Sequence, residues 1–224
     1  MELVTMHTHT NYTGHGHGTV AELVDAAAAA KLGAIAVTEH YPMSAAMDPD
    51  NVVSMAWDRL PDYLIDIAAA AAAHPEMQVI PGCEIDWLGG QEDRDFSALD
   101  FSNFIHVLGS VHYLDGWAFD DPAQKARWHD VSVDSVWRRY FEVWCQAASC
   151  TDMPFTCMAH PDLVKKFGYR PSFNPQPLYD EAAEAVQSSG RMVEVNTSGL
   201  TYACAELFPA PDIRCTFPRA CISC

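Results

Sequence analysis

Basic residues are scarce in this chain. Its 224 residues hold 13 Lys plus Arg against 30 Asp plus Glu, a formal net charge of −17. No cationic stripe is available to neutralise a phosphate backbone, so nucleic acid is a poor partner. Long apolar runs are lacking too. The longest, at 26–30 and 68–73, are alanine tracts interrupted by charge within a few residues, far short of the roughly 20 apolar residues that span a bilayer. No membrane partner is expected. The start, Met-Glu-Leu-Val-Thr, has neither the basic segment nor the apolar core of a secretory signal, so a cytoplasmic location is expected. Eight cysteines fall below the density of a disulfide scaffold, and a reducing compartment keeps them as thiols. Four of them, Cys204, Cys215, Cys221 and Cys224, crowd the C-terminal end.

What is present can build a core: 49% of the residues are hydrophobic and 11% aromatic, which excludes general disorder. Apolar runs alternate with helical patterns. Strands are expected at 3–6, 34–38, 77–83, 104–111, 155–159 and 192–195, where short apolar runs are bounded by polar or Gly-containing segments. Helices are expected from Val20, behind the capping box Thr19-Val-Ala-Glu22, through Ala30, and at 61–73, 133–149 and 181–188. Strands alternating with helices imply parallel strand-helix-strand units and an α/β layer or barrel. With no internal repeat and no linker rich in Pro, Gly or Ser, one domain is expected over 1–211, followed by a Cys-rich tail at 212–224.

Chemistry-bearing residues gather just past the ends of those strands. His7 and His9 follow the first, with His15 and His17 in the same loop; His40 follows the second, Glu84 the third, His112 the fourth and His160 the fifth. A lone His-x-His is weak, because alternate residues of a strand share a face by construction. Recurrence at five strand ends is stronger, since in a parallel barrel those ends open on one face, where active sites lie. Imidazoles with a carboxylate suit Zn, Mn or Fe. His17, His74, His106 and His129 are read as structural or surface histidines. The Lys165-Lys166 pair, beside Phe167-Gly168, reads as an exposed turn, although it or Asn196 could orient a phosphate.

The blocks HTHTNYTGHG (7–16), VTEHYPM (37–43), PGCEIDW (81–87), LGSVHYLDGWAFD (108–120), MAHPDLVKKFG (158–168) and EVNTSGL (194–200) resemble the polymerase and histidinol phosphatase superfamily, within it the monofunctional histidinol-phosphatase type. The opening HTHT is shared widely, whereas GSVHYLDGWAFD and AHPDLVKKFG are narrower. The resemblance implies a distorted (β/α)7 TIM-like barrel holding up to three divalent metal ions. Carried over by motif, His7 and His9 would hold one ion, Glu84 would bridge it to a second held by His112 and His160, and His15 and His40 would hold a third. His7, His9, Glu84 and His160 are the implied catalytic set. The implied reaction is hydrolysis of L-histidinol phosphate, a small phosphate ester, to L-histidinol and phosphate, a late step of histidine biosynthesis. Metal-activated water would serve as nucleophile, and the ions would offset the chain's negative charge toward an anionic substrate.

The pattern breaks after Asp212. Family members run on through a further strand ending in Gly-Ser-Asp-Ala-His or a near variant, and no such string occurs here. The reading is therefore a barrel incomplete at its C-terminus, short of two ligands, with the strands at 3–6 and 192–195 exposing unpaired edges. Residues 213–224 have no periodicity that predicts an element, and Cys221-x-x-Cys224 without a second pair is a weak zinc signal. Two competing functions follow: an inactive truncated fragment that binds only metal or a partner, and a phosphoesterase acting on nucleic acid ends. The charge disfavours the second.

Overall fold

Thr19 starts the first helix. Its hydroxyl accepts the Glu22 N–H at 3.2 Å while the Glu22 carboxylate accepts the Thr19 N–H at 2.7 Å, so the expected capping box is formed. The computed structural model describes residues 3–88, 99–211 and 222–223, which fall into two compact units: 3–85 with 99–108, and 86–88 with 109–211 and 222–223.

The first unit carries β1 (Val4–Thr5), α1 (Val20–Ala29), β2 (Ala34–Val37), α2 (Leu60–Ala73) and most of β3 (Gln78–Asp86). β1 pairs with β2 and β2 with β3, both parallel, in the registers Val4↔Ala34 and Val37↔Pro81. All four residues of β2 are buried, as its unbroken Ala-Ile-Ala-Val run requires of a strand covered on both faces. Val20, Val24 and Ala27 of α1 and Tyr63, Ile67 and Ala70 of α2 form one apolar cluster with Ile35 and Val37. Their spacing of three and four residues is the core-facing stripe of a helix. Helix α2 tolerates Pro61 because its missing N–H lies in the first turn, where it has no intrahelical partner.

The second unit takes only the last two residues of β4 (His106–Ser110), then a hairpin of β5 (Tyr113–Leu114) and β6 (Trp117–Ala118), α3 (Val133–Ser149), β7 (Cys157–Met158), α4 (Gln176–Ser189), β8 (Met192–Glu194) and β9 (Ile222–Ser223). The helix expected at 181–188 starts earlier, at Gln176, since Pro177 again falls in the first turn. Ser132 caps α3, which buries Trp137, Tyr140, Phe141 and Trp144. Tyr179 of α4 meets Phe141 edge-on at 4.9 Å. Strand β7 is parallel to β8, and β8 to β9.

That last pairing differs from the sequence reading. The tail supplies backbone partners, Ile222 to Val193 and Ser223 to Glu194, so the edge expected to be open at 192–195 is covered. A two-residue strand needs no side-chain periodicity, which is why the pattern did not reveal it. Cys215, Cys221 and Cys224 lie outside the described residues.

Arg191, one residue before β8, has a buried guanidinium. It donates to the carbonyls of Ala147, Ala148, Cys150, Met153 and Phe155. The C-terminal carbonyls of α3, which have no partner within the helix, are satisfied this way. Among the described residues no helix is long and apolar enough to cross a membrane.

Candidate metal centre

The parallel register of β2 and β3 continues beyond β2 and sets Glu84 opposite His40. Glu84 donates its N–H to Glu39 O at 2.9 Å, and Tyr41 donates to Glu84 O at 2.7 Å. Tyr63 reaches up from α2: its hydroxyl lies 2.7 Å from Val37 O and 2.9 Å from Gly82 O and accepts the Glu39 N–H at 3.2 Å. The ends of β2 and β3 are thereby locked from below.

Onto this frame converge His7 and His9 from the segment after β1. Glu84 Oε2 lies 2.9 Å from His7 Nε2, 3.2 Å from His9 Nε2 and 3.3 Å from His40 Nε2, and His7 Nε2 is 3.1 Å from His9 Nε2. The Glu84 side chain is 1% exposed. His40 stacks on His9 with ring centroids 4.9 Å apart, and His15 stands 5.2 Å from His9 and 5.1 Å from His40. Two sets, His7-His9-Glu84 and His9-His15-His40, each have their ligand atoms within 4.8 Å of one another.

These spacings fit a metal. With bonds near 2.05 Å to nitrogen or oxygen, neighbouring ligand atoms of a tetrahedral ion stand about 3.3 Å apart. The 2.9, 3.1 and 3.2 Å separations among His7, His9 and Glu84 lie close to that edge. Imidazole and carboxylate donors suit Zn, Mn and Fe.

His15 reaches the cluster through a tight loop. A Cβ on Gly16 would sit 1.8 Å from Thr10 O, so only glycine lets the backbone pass that carbonyl. The His15 ring, enclosed by its neighbours although the residue is exposed overall, has its pKa lowered to about 4, by burial first and then by the charges of His40 and His9. For His9, burial acts downward, but the carboxylates of Glu39 and Glu84 outweigh it and the pKa is raised.

In the second unit, His112 and His160 face each other with ring centroids 4.9 Å apart. His112 Nδ1 is 2.6 Å from Asp86 Oδ1. His160 has a φ of 25°, a sparsely populated conformation for a non-glycine residue that the surroundings must enforce. They do so at both ends of the residue: Glu194 Oε2 accepts its N–H at 2.9 Å, and Tyr140 donates its hydroxyl to its carbonyl at 3.0 Å.

Of the seven side chains expected as ligands, the structure gathers five in the first unit and brings the other two together in the second. Sequence reasoning missed the carboxylates behind them, Glu39, Asp86 and Glu194. Asn196 donates to Glu194 Oε1 and accepts the Ser198 N–H. Lys165 is not on an exposed turn. It is fully buried, 2.6 Å from Asp162, 2.7 Å from Leu207 O and 3.3 Å from Glu206, while Lys166 pairs with Asp120 at 2.8 Å.

The pattern of the PHP domain family matches residues 5–198. The chain belongs to that family. This PHP domain is 32% identical over 213 residues to a Deinococcus radiodurans protein named as a probable histidinol-phosphatase, covering 94% of this chain and 79% of the relative. Two solved structures share its α/β fold. One, a Listeria monocytogenes chain assigned as the histidinol phosphatase HisK, matches with a TM-score of 0.85 at 22% identity over 95% of this chain and 89% of that one. The other, histidinol phosphate phosphatase of Lactococcus lactis, was solved with zinc, L-histidinol and phosphate and matches with a TM-score of 0.77 at 19% identity over 99% and 84%.

Proposed function

We propose that this PHP domain is a metal-dependent phosphomonoesterase that hydrolyses L-histidinol phosphate to L-histidinol and phosphate. The observation that carries the reading is the convergence of His7, His9 and Glu84 at the ligand spacing of a divalent ion. The 32% identical relative, named as a probable histidinol-phosphatase, supports the choice of substrate. In this reading His7, His9 and Glu84 hold one of up to three ions of Zn, Mn or Fe, His15 and His40 hold another, and His112 and His160, both of the second unit, hold a further one. His7, His9, Glu84 and His160 are the catalytic set.

When bound, such ions lower the pKa of water from about 16 toward 7 and offset charge on phosphoryl oxygens. The chain's own part is to present lone pairs and hold them still. The lowered pKa of His15 keeps its imidazole neutral at physiological pH, the form that ligates. Glu84 supplies a negative charge where three imidazoles crowd together. Glu194 and Tyr140 fix the backbone of His160, so its ring direction does not depend on the substrate.

Two measurements test this. Elemental analysis of the dialysed full chain is expected to find a transition metal, with Glu84→Ala lowering the occupancy most. Phosphate release from L-histidinol phosphate is expected to exceed release from a nucleotide end or an aryl phosphate. Equal rates on all three remove the substrate assignment. Bound metal with no release leaves a metal-binding protein, and soluble folded chain without metal removes the reading altogether.

A further inference from the structure

Glu39 belongs to none of these ligand sets, yet its side chain is 0% exposed. One carboxylate oxygen, Oε1, accepts the Thr10 N–H. The other, Oε2, is buried with no hydrogen-bond partner, and 3.8 Å away stands His9 Nδ1, buried and equally without one. A donor and an acceptor each left unsatisfied in the interior are costly, about 1–3 kcal/mol apiece. These two face each other across a gap only about 1 Å longer than an ordinary N–H···O bond. The second unit has the same pairing in closed form, His112 Nδ1 on Asp86 at 2.6 Å.

We propose that Glu39 is the positioning residue of His9: its Oε2 accepts the Nδ1–H, which holds the ring in the tautomer whose Nε2 lone pair points toward Glu84 and the ion. The proposal rests on the reading of His9 as a ligand. Anchoring the segment after β1 does not explain the residue. The Thr10 N–H needs one oxygen, and a glutamine would offer that oxygen equally well. What a glutamine cannot offer is the second acceptor. With its carbonyl on Thr10, it would turn an NH2 group toward Nδ1, make Nδ1 the acceptor and put the proton on Nε2, where the ion should bind. A carboxylate behind a histidine fixes tautomer and ring direction in this way at metal sites and in catalytic triads alike.

The test uses the full chain as wild type, Glu39→Gln and His9→Ala, with zinc alone as probe. Zinc affinity is measured by competition with a chromophoric chelator, and ring nitrogens are assigned by 15N spectra of histidine-labelled, zinc-loaded protein. Wild-type His9 is expected to ligate through Nε2 with Nδ1 protonated. Glu39→Gln is expected to weaken zinc about 10- to 100-fold while the thermal midpoint of the metal-free chain stays within a few degrees of wild type. Ligation of His9 through Nδ1 in the wild type overturns the proposal without recourse to any variant. So does wild-type zinc affinity in Glu39→Gln when His9→Ala is weakened. Unchanged affinity in His9→Ala instead overturns the ligand reading beneath it.

Discussion

Removing the buried ammonium of Lys165 should cost far more than removing a surface lysine. Lys165 and Asp162 are both fully buried and 2.6 Å apart. Asp162 Oδ2 also accepts the Ala210 N–H at 3.0 Å, and Lys165 donates to Leu207 O, so the pair ties the helical turn after His160 to the segment at 206–210. In Lys165→Met the stem volume is kept but the Asp162 carboxylate is left buried without its counter-charge. Its pKa is already raised by burial, with Lys165 the main opposing influence, and loss of that influence leaves the burial penalty in force. Breaking such a pair from one side costs about 3–5 kcal/mol. At about 2–4 °C per kcal/mol for a chain of this size, the thermal midpoint should fall by roughly 6–20 °C. The double variant Lys165→Met with Asp162→Asn should recover much of the loss, because it removes both charges while an amide oxygen remains for Ala210. Thermal and urea unfolding of the metal-free wild type, both single variants and the double variant give the coupling energy directly. A loss below about 1 kcal/mol for Lys165→Met, the scale of an exposed pair, would show that water reaches this site and would refute the reasoning.

Two further outcomes follow from the metal centre. Gly16→Ala should displace His15, since a Cβ would overlap Thr10 O at 1.8 Å; zinc stoichiometry should drop, and an unchanged count would mean that the loop relaxes without moving its histidine. In the metal-free chain, His15 with its pKa lowered to about 4 adds stability in full above pH 6.5 and loses it as pH falls toward 4. His9, raised, adds stability below pH 6.5 and loses it as pH rises through its folded value. An NMR titration in which both histidines shift near pH 6.5 would contradict both.

Much of the first unit was legible from local rules. The Thr19 and Glu22 box and the apolar stripes of α1 and α2 act within a few residues, and the pattern at 133–149 matches α3 end to end. The seven candidate ligands were legible because histidine is uncommon and its recurrence at strand ends is hard to mistake. Glu39, Asp86 and Glu194 were not, since a carboxylate looks like any solvated acid until the fold buries it, and Asp86 and Glu194 lie 26 and 34 positions from the histidines they meet. Lys165 hid for the same reason, as its partners Leu207 and Glu206 are distant in the chain. One miss was avoidable. Asp115-Gly116, both at positive φ between β5 and β6, is a two-residue hairpin turn of the type that Asp-Gly strongly favours.

The Arg191 guanidinium sets an order on biosynthesis. The carbonyls it covers belong to residues 147–155, more than thirty positions earlier in the chain, so they leave the ribosome well before the group that satisfies them. Until residue 191 emerges, the last turn of α3 has the Cys150 N–H on its Ala147 carbonyl and must otherwise rely on water. The end of α3 and the start of β8 therefore mature together rather than in sequence, and Arg191→Ala in the full chain should leave the α3 terminus more open to proteolysis than in the wild type.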